Sequence, residues 1–133
     1  MTFFALSIHR RQRLRFSNAG HNFPLLLRKT DQGIRAEALV ARGNRLGDVR
    51  ATRYEVCETA IVPGDLLCLY TDGITEARDR RGREYSLRRL RGLLVEHFDA
   101  SPEAIVQRIL HDIDQFTAGC KQEDDLTLVV ARL

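Results

Sequence analysis

The fold is decided by residues 66–77, which read Leu66-Leu67-Cys68-Leu69-Tyr70-Thr71-Asp72-Gly73-Ile74-Thr75-Glu76-Ala77. The run from Leu66 to Tyr70 predicts a strand buried on both faces, because no charged residue interrupts it. Asp72 follows at the end of that strand, and Gly73 would let the backbone turn sharply. We therefore expect Thr71-Asp72-Gly73 to form an acidic turn at the mouth of a core strand.

A second acidic segment lies near the C-terminus, where Asp124-Asp125-Leu126-Thr127 leads into an apolar, β-branched run. This run predicts another core strand, from Leu126 to Leu133. Short aspartate side chains at rigid strand ends can share a divalent cation, because Mg²⁺ and Mn²⁺ prefer oxygen ligands. Asp72 and Asp124 are therefore candidate metal ligands, although each acidic turn taken singly also fits an ordinary solvated turn.

The remaining sequence predicts further strands and two helices. Alternating polarity predicts strands over residues 2–8, 12–18, 23–28, 34–39 and 53–62, the first two joined by a turn at residues 9–11. One helix would follow an N-cap at Ser86, and a second would begin at Ser101-Pro102-Glu103 and end near Gly119. The residues alone thus predict an α+β domain in which an antiparallel meander packs against two helices.

The length and composition bound the class of protein. A chain of 133 residues with 44% hydrophobic content can bury a single core. No apolar run approaches the roughly 18 residues that span a bilayer, and the first residues lack the layout of a signal peptide. We therefore expect one domain, a cytoplasmic location and no membrane partner.

Cysteine chemistry does not explain this sequence. The three cysteines, Cys57, Cys68 and Cys120, lack metal-binding or redox spacing and are predicted to be buried free thiols. A cysteine-dependent phosphatase needs an arginine six residues after its nucleophile, and those positions hold Pro63, Ile74 and Leu126. That reaction type is excluded.

The basic residues are mostly arginines, clustered in residues 10–15 and 78–91, and the net charge is +3. Such clusters can contact phosphate-bearing partners. Interleaving with 18 acidic residues favours solvated turns and helix faces instead. Because no aromatic residues are placed to stack on bases, we expect no nucleic-acid partner.

The motifs taken together are more specific than any one of them. They are Asn18-Ala19-Gly20-His21-Asn22-Phe23-Pro24-Leu25-Leu26-Leu27-Arg28, Arg45-Leu46-Gly47, Pro63-Gly64-Asp65, Leu69-Tyr70-Thr71-Asp72-Gly73-Ile74-Thr75-Glu76-Ala77 and Asp124-Asp125-Leu126-Thr127-Leu128-Val129-Val130. In this order they resemble the C-terminal half of the SpoIIE/RsbU-type serine phosphatases, members of the PPM family related to protein phosphatase 2C. The resemblance covers essentially the whole chain.

This resemblance implies an antiparallel β-sandwich flanked by helices. It also implies hydrolysis of phosphoserine or phosphothreonine proteins by a water that two Mn²⁺ or Mg²⁺ ions activate. Asp72 and Asp124 would be metal ligands with Asp125 as a further candidate, while Gly73 allows close approach and Thr71 supports the site. Substrates would be phosphoserine proteins such as anti-anti-sigma factors, in bacterial sigma-factor or stress signalling.

The same family carries an earlier Gly-Asp motif and an Asp-Val-x-Gly-His-Gly motif, whose aspartate bridges both metals, and neither occurs in this sequence. Gly47-Asp48 and Gly64-Asp65 lie in other contexts, and Gly20-His21 fits a backbone turn with a structural histidine. We therefore expect residues 1–133 to be a single partial domain with an incomplete two-metal site. Such a chain would expose sheet edges unless it self-associates or pairs with another chain. The alternative is a catalytically inactive fragment that acts as a protein-interaction module.

Overall fold

The computed structural model describes residues 1–9, 12–122 and 124–133, and within them the chain forms seven strands and three helices. The strands are β1 (Phe3–His9), β2 (Arg13–Ala19), β3 (Leu25–Thr30), β4 (Gly33–Ala38), β5 (Cys57–Ala60), β6 (Leu66–Tyr70) and β7 (Leu128–Arg132). The helices are α1 (Asp72–Thr75), α2 (Ser86–Glu96) and α3 (Pro102–Thr117). The expected turn at Arg10 and Arg11 lies outside the described residues.

The strands form two antiparallel sheets, in the orders β1-β2-β5 and β4-β3-β6-β7. Side chains of both sheets share one apolar core, which includes Leu14 and Phe16 from β2, Leu26 from β3 and Leu67 from β6. The predicted β-sandwich is therefore confirmed. The simple meander is wrong, because β5 pairs with β2 and not with β4, and β6 pairs with β3 and not with β5.

A second core fills the space between the four-stranded sheet and the helices. Ile105, Ile109 and Ile113 of α3 are fully or nearly fully buried, as expected for apolar residues that recur every fourth position along one helix face. Leu66 and Cys68 of β6 belong to this core, whereas Leu67 between them faces the other sheet. β6 is thus buried on both faces, as its uninterrupted apolar run predicts.

The two longer helices begin for different reasons. The Ser101 hydroxyl accepts a hydrogen bond from the Ala104 amide at 3.2 Å with Pro102 at the first helical position, which confirms the predicted start of α3. The predicted cap at Ser86 is wrong: α2 begins at that residue, and the capping position is Tyr85, whose side chain makes no capping bond. Within the described part of the chain, no helix is long and apolar enough to cross a membrane.

Three predicted strands differ from the observed ones by two or more residues at a boundary. The strand expected over residues 53–62 is limited to Cys57–Ala60, and the one expected over 23–28 runs from Leu25 to Thr30. The last strand begins at Leu128 instead of Leu126, because Thr127 bonds to the backbone and side chain of Thr71 and the regular ladder starts only at the next residue.

The cysteines are free, as predicted, but only Cys68 is fully buried, whereas Cys57 and Cys120 are half-buried. Burial raises the pKa of the Cys68 thiol to about 12. The thiolate form is the reactive one, so Cys68 acts as a small apolar core residue.

Candidate functional site

Asp72 stands where β6 leaves the sheet. The strand ends at Tyr70, paired with Leu128 of β7, and Asp72 is the first residue of the one-turn helix α1. The expected sharp turn at this position is therefore a short helix. β6 lies between β3 and β7, but β3 pairs with it only as far as Cys68, so the end of β6 that leads to Asp72 is held by β7.

Thr71 joins the two acidic segments through its hydroxyl group. The hydroxyl donates to the Asp125 carbonyl at 3.0 Å and accepts from the Thr127 amide at 3.0 Å. The Thr71 amide also donates to the Thr127 carbonyl at 3.1 Å. One side chain thereby ties the end of β6 to the segment that enters β7.

Gly73 is required by space, not by backbone angle. An added β-carbon there would lie 2.4 Å from the Asp125 carbonyl oxygen and 3.4 Å from the Asp124 carbonyl carbon. Contacts shorter than about 3 Å are essentially absent for real β-carbons. Only glycine lets the backbone of Asp124 and Asp125 pass this close to α1.

The three candidate carboxylates are exposed on this surface. One oxygen of Asp72, Oδ1, accepts from the Gly73 amide at 3.1 Å, and Oδ1 of Asp124 accepts from the Asp125 amide at 2.8 Å. Among the described residues, the second oxygen of each has no protein hydrogen bond and can face a ligand. This donor set suits a hard divalent cation.

The carboxylates are brought to one surface but do not form a closed ligand cage. Among residues 1–9, 12–122 and 124–133, no group of three or more His, Cys, Asp or Glu side chains is arranged to hold a metal ion. Mn²⁺ or Mg²⁺ therefore fits the chemistry of the donors, while the number of ligands present is below the six or so oxygens that these ions prefer.

A cavity of about 510 Å³ opens beside Gly73 and Asp124. Its apolar wall includes Ala77, Ile113 and Leu126, and Lys121 is among its polar residues. No signal in the sequence indicates that these residues adjoin the acidic turns, because the end of α3 reaches this cavity only through tertiary packing. The cavity can accept a group bound next to the carboxylates.

The Gly64-Asp65 pair does not contribute a carboxylate to this surface. Asp65 is 1% exposed and receives two hydrogen bonds from the Arg28 guanidinium, at 2.9 and 2.6 Å. Its second oxygen also accepts from the Val62 amide at 2.9 Å. The burial and pairing of Asp65 agree with the expectation that Gly64-Asp65 does not replace an absent metal motif. Asp48 of the other pair lies in an exposed loop.

His21 has a structural position, as predicted. Its amide donates to Asn18 Oδ1 at 2.8 Å, and its carbonyl accepts from Asn18 Nδ2 at 2.9 Å. Its ring nitrogen Nδ1 lies 3.3 Å from the Thr2 hydroxyl. The Gly20-His21 element is thus a closed turn between β2 and β3.

Comparisons with known proteins give a consistent result. A family model described as Stage II sporulation protein E (SpoIIE) matches residues 1–133. Protein IcfG of Synechocystis sp. (strain ATCC 27184 / PCC 6803 / Kazusa) is 31% identical over 119 residues, which make up 87% of this chain and 18% of IcfG.

Solved structures share the fold. The SiaA-PP2C domain of Pseudomonas aeruginosa superposes with a TM-score of 0.79 at 22% identity, over 93% of this chain and 48% of that one. The RsbU and RsbW domains of Rv1364c from Mycobacterium tuberculosis superpose with a TM-score of 0.71 at 25% identity, over 98% of this chain and 35% of that one. The phosphatase domain of the cell fate determinant SpoIIE from Bacillus subtilis superposes with a TM-score of 0.65 at 22% identity, over 99% of this chain and 56% of that one. The chain therefore spans about half or less of these structures and under a fifth of IcfG.

Proposed function

Because this chain belongs to the SpoIIE family, whose structural neighbours are PP2C-type serine/threonine phosphatase domains, we propose that it is part of a metal-dependent phosphoprotein phosphatase domain. The reaction would be hydrolysis of phosphoserine or phosphothreonine in a partner protein. Residues 1–133 would supply the C-terminal portion of that domain.

The observation that carries this proposal is the convergence of the two acidic segments. They are far apart in sequence, yet the Thr71 hydroxyl bonds to the Asp125 carbonyl and to the Thr127 amide. Gly73 also lies against the Asp125 carbonyl. A solvated turn would need neither arrangement. The contacts support a role in which both segments act on the same ligand.

In this proposal Asp72 and Asp124 are metal ligands, and Asp125 is a further one. Their exposed carboxylates would hold Mn²⁺ or Mg²⁺, and Thr71 and Gly73 would keep the two segments at a fixed separation. When bound, the ions would supply an activated water and offset negative charge on the phosphoryl oxygens. Another chain or segment would add the remaining ligands, since each additional carboxylate strengthens binding of a doubly charged ion.

The neighbours that include RsbU and SpoIIE support a signalling role. We propose that the substrate is a phosphoserine protein such as an anti-anti-sigma factor and that the reaction regulates a sigma factor or a stress response. Self-association is one way in which the chain could complete its site.

The test is Mn²⁺-dependent hydrolysis of a phosphoserine peptide by the purified chain, beside an Asp72→Asn variant. Asp31→Asn is a matched control, because Asp31 lies in the turn between β3 and β4, at the opposite end of the sheet. Calorimetric titration with Mn²⁺ alone gives a second readout. Hydrolysis and Mn²⁺ binding that Asp72→Asn abolishes and Asp31→Asn preserves would support the proposal.

If the chain hydrolyses the peptide no faster than Asp72→Asn, whose rate is the background of contaminating phosphatase, the metal role of Asp72 is overturned. In that case the second candidate function gains support, namely a catalytically inactive module that binds a partner protein. The specific observation in its favour is that the described residues assemble no cluster of three or more ligands. This second hypothesis predicts a stable complex with a phosphoprotein, whose affinity changes neither on addition of Mn²⁺ nor in the Asp72→Asn variant.

A further inference from the structure

A basic loop stands at the same end of the sandwich as Asp72. In β3, Leu25 pairs with Ala38 at the end of β4 and with Cys68 near the end of β6. The chain therefore leaves β4 and β6 at one end of the sheet. Residues 40–56 follow β4 and begin at that end, and we call them the arginine loop. The loop leads into β5, whose first residue, Cys57, pairs with Phe16 of β2, while its last pairs with Arg13 at the start of β2.

Hydrogen bonds give the arginine loop a defined conformation. The Leu46 amide donates to the Met1 carbonyl at 2.8 Å, and the N-terminal amine donates back to the Leu46 carbonyl at 3.2 Å. Inside the loop, the Asn44 side-chain amide donates to the Thr52 hydroxyl at 3.1 Å. A segment held in this way loses less conformational entropy when it binds a partner.

Two glycines fix the loop against the turn between β2 and β3. A β-carbon at Gly43 would lie 2.2 Å from the Asn18 carbonyl oxygen, and one at Gly20 would lie 2.6 Å from Cγ of Arg45. The loop backbone thus packs directly on the end of the sandwich. Its exposed side chains consequently project from that surface.

The loop is basic, and its arginines form no ion pair with the part of the chain that the structure describes. Its basic residues are Arg42, Arg45, Arg50 and Arg53, and its acidic residues are Asp48 and Glu55. All four arginines are exposed, and within the described residues none lies within ion-pair distance of a carboxylate. Some arginines elsewhere form ion pairs, with partners such as Glu58, Asp65 and Asp112. Free guanidinium groups concentrated at one end of a molecule form a site for anionic groups.

We propose that the arginine loop binds an acidic segment that flanks the phosphoserine of the protein substrate. This inference rests on the proposed function, because it assigns the loop to the same substrate and the same end of the fold. The charges are complementary, and Val49 and Val56, which are 52% and 59% exposed, add apolar contact area. A nucleic acid is the less favoured anion, because the loop has a single aromatic residue, Tyr54, which is half-buried and lies beside Gly43.

The test measures binding of a fluorescein-labelled phosphoserine peptide with glutamates around the phosphoserine, beside the same peptide with glutamines in their place. Fluorescence anisotropy in metal-free buffer makes the result independent of hydrolysis. The loop variant is Arg42→Gln/Arg50→Gln/Arg53→Gln, which leaves Arg45 in place because its side chain contacts Gly20. The matched control is Arg88→Gln/Arg91→Gln/Arg108→Gln, which removes the same charge from exposed positions on α2 and α3.

We expect the unaltered chain to prefer the glutamate peptide, and we expect the loop variant to bind it about tenfold more weakly, as for the loss of three exposed charge contacts. The control should retain the preference, and raising the salt from about 50 to about 300 mM should reduce it. Unchanged melting temperatures would establish that both variants are folded.

An equal loss of binding in the control, no preference between the peptides, or equally tight binding of a single-stranded oligonucleotide would each overturn the inference. The proposed function is judged separately, by hydrolysis and Mn²⁺ binding in Asp72→Asn. A loop variant that binds like the unaltered chain, together with an Asp72→Asn variant that has lost hydrolysis, would refute the docking surface and leave the phosphatase proposal standing.

Discussion

Gly73 lies directly against the backbone carbonyl of Asp125, so closely that a β-carbon at Gly73 would stand 2.4 Å from that oxygen. The neighbour is main chain, not the end of a flexible side chain, and it cannot move without shifting the whole Asp124-Asp125 segment. Since the Gly73 φ angle is not in the left-handed region, the glycine serves the contact alone. The two acidic segments can therefore approach this closely only because residue 73 has no β-carbon.

Substitution Gly73→Ala should destabilise the chain by about 1–3 kcal/mol, because the new methyl group forces backbone apart. It should also weaken Mn²⁺ binding, measured by calorimetry. Gly92→Ala is the matched control. Gly92 lies in α2, and apart from its chain neighbours and the backbone of its own helix no atom lies within 4 Å of the position that its β-carbon would take, so alanine should stabilise by up to about 1 kcal/mol. A Gly73→Ala chain with an unchanged melting temperature and unchanged Mn²⁺ affinity would contradict this account.

The hydrogen bonds of the Thr71 hydroxyl can be tested with a valine side chain, which has nearly the same shape as threonine. Thr71→Val removes the donor to Asp125 and the acceptor for Thr127, and we expect a loss of about 1–2 kcal/mol in unfolding free energy. Thr71→Ser keeps the hydroxyl and should lose less. Urea denaturation measures both. If the valine and serine variants were equally stable, the hydroxyl bridge would not hold the segments together.

The sequence predicted the elements whose signals are local. The apolar run of β6 and the Ser101-Pro102 start of α3 appear where expected, because burial on both faces and helix capping depend on neighbouring residues alone. The order of motifs identified the fold beyond what these elements could. Both acidic segments were also recognised, since aspartates next to an apolar strand are visible in the sequence.

Tertiary contacts were less accessible to sequence reasoning. Ser86 was expected to cap α2, but the start of that helix is set by Tyr85, whose buried ring reaches Asp112 on another helix. The start of β7 is likewise set by the bonds between Thr71 and Thr127, which lie far apart in the chain. From the sequence, the arginine loop could be described only by its net charge. Its position at one end of the sandwich follows from the pairing of β3 with β4 and β6.

Asp65 is expected to matter for stability and not for metal binding. Asp65→Asn leaves the Arg28 guanidinium without its charged partner and should cost about 3 kcal/mol, the lower part of the range for a broken buried pair, since Arg28 is 36% exposed. Glu37→Gln, which removes the partner of exposed Arg35, should cost under about 1 kcal/mol. Urea denaturation separates the two. Loss of Mn²⁺ binding in a folded Asp65→Asn chain would refute this division of roles.

The contact between α2 and α3 should make stability depend on pH. Asp112 accepts two hydrogen bonds from Arg89, both at 2.8 Å, and one from the Tyr85 hydroxyl at 2.7 Å. Hydrogen bonding from Arg89, followed by that from Tyr85, lowers the pKa of Asp112 below its ordinary value of 3.8, against the opposing effect of partial burial. The carboxylate therefore stabilises the folded chain fully above the unfolded pKa, and this contribution is lost as the pH falls through the lower folded pKa.

Asp112→Asn should accordingly reduce stability by about 1–2 kcal/mol near neutral pH, a modest value because the Arg89 side chain is 43% exposed. As the pH falls below about 4, the difference from the unaltered chain should shrink, because the wild-type carboxylate then protonates as well. Thermal unfolding followed by circular dichroism from about pH 7 to about pH 3 measures this convergence. Asp99→Asn is the control, since the Asp99 side chain is 76% exposed and, among the residues described, pairs with Lys29 alone. A difference that stayed constant across the range would mean that Asp112 contributes through its shape and not through its charge.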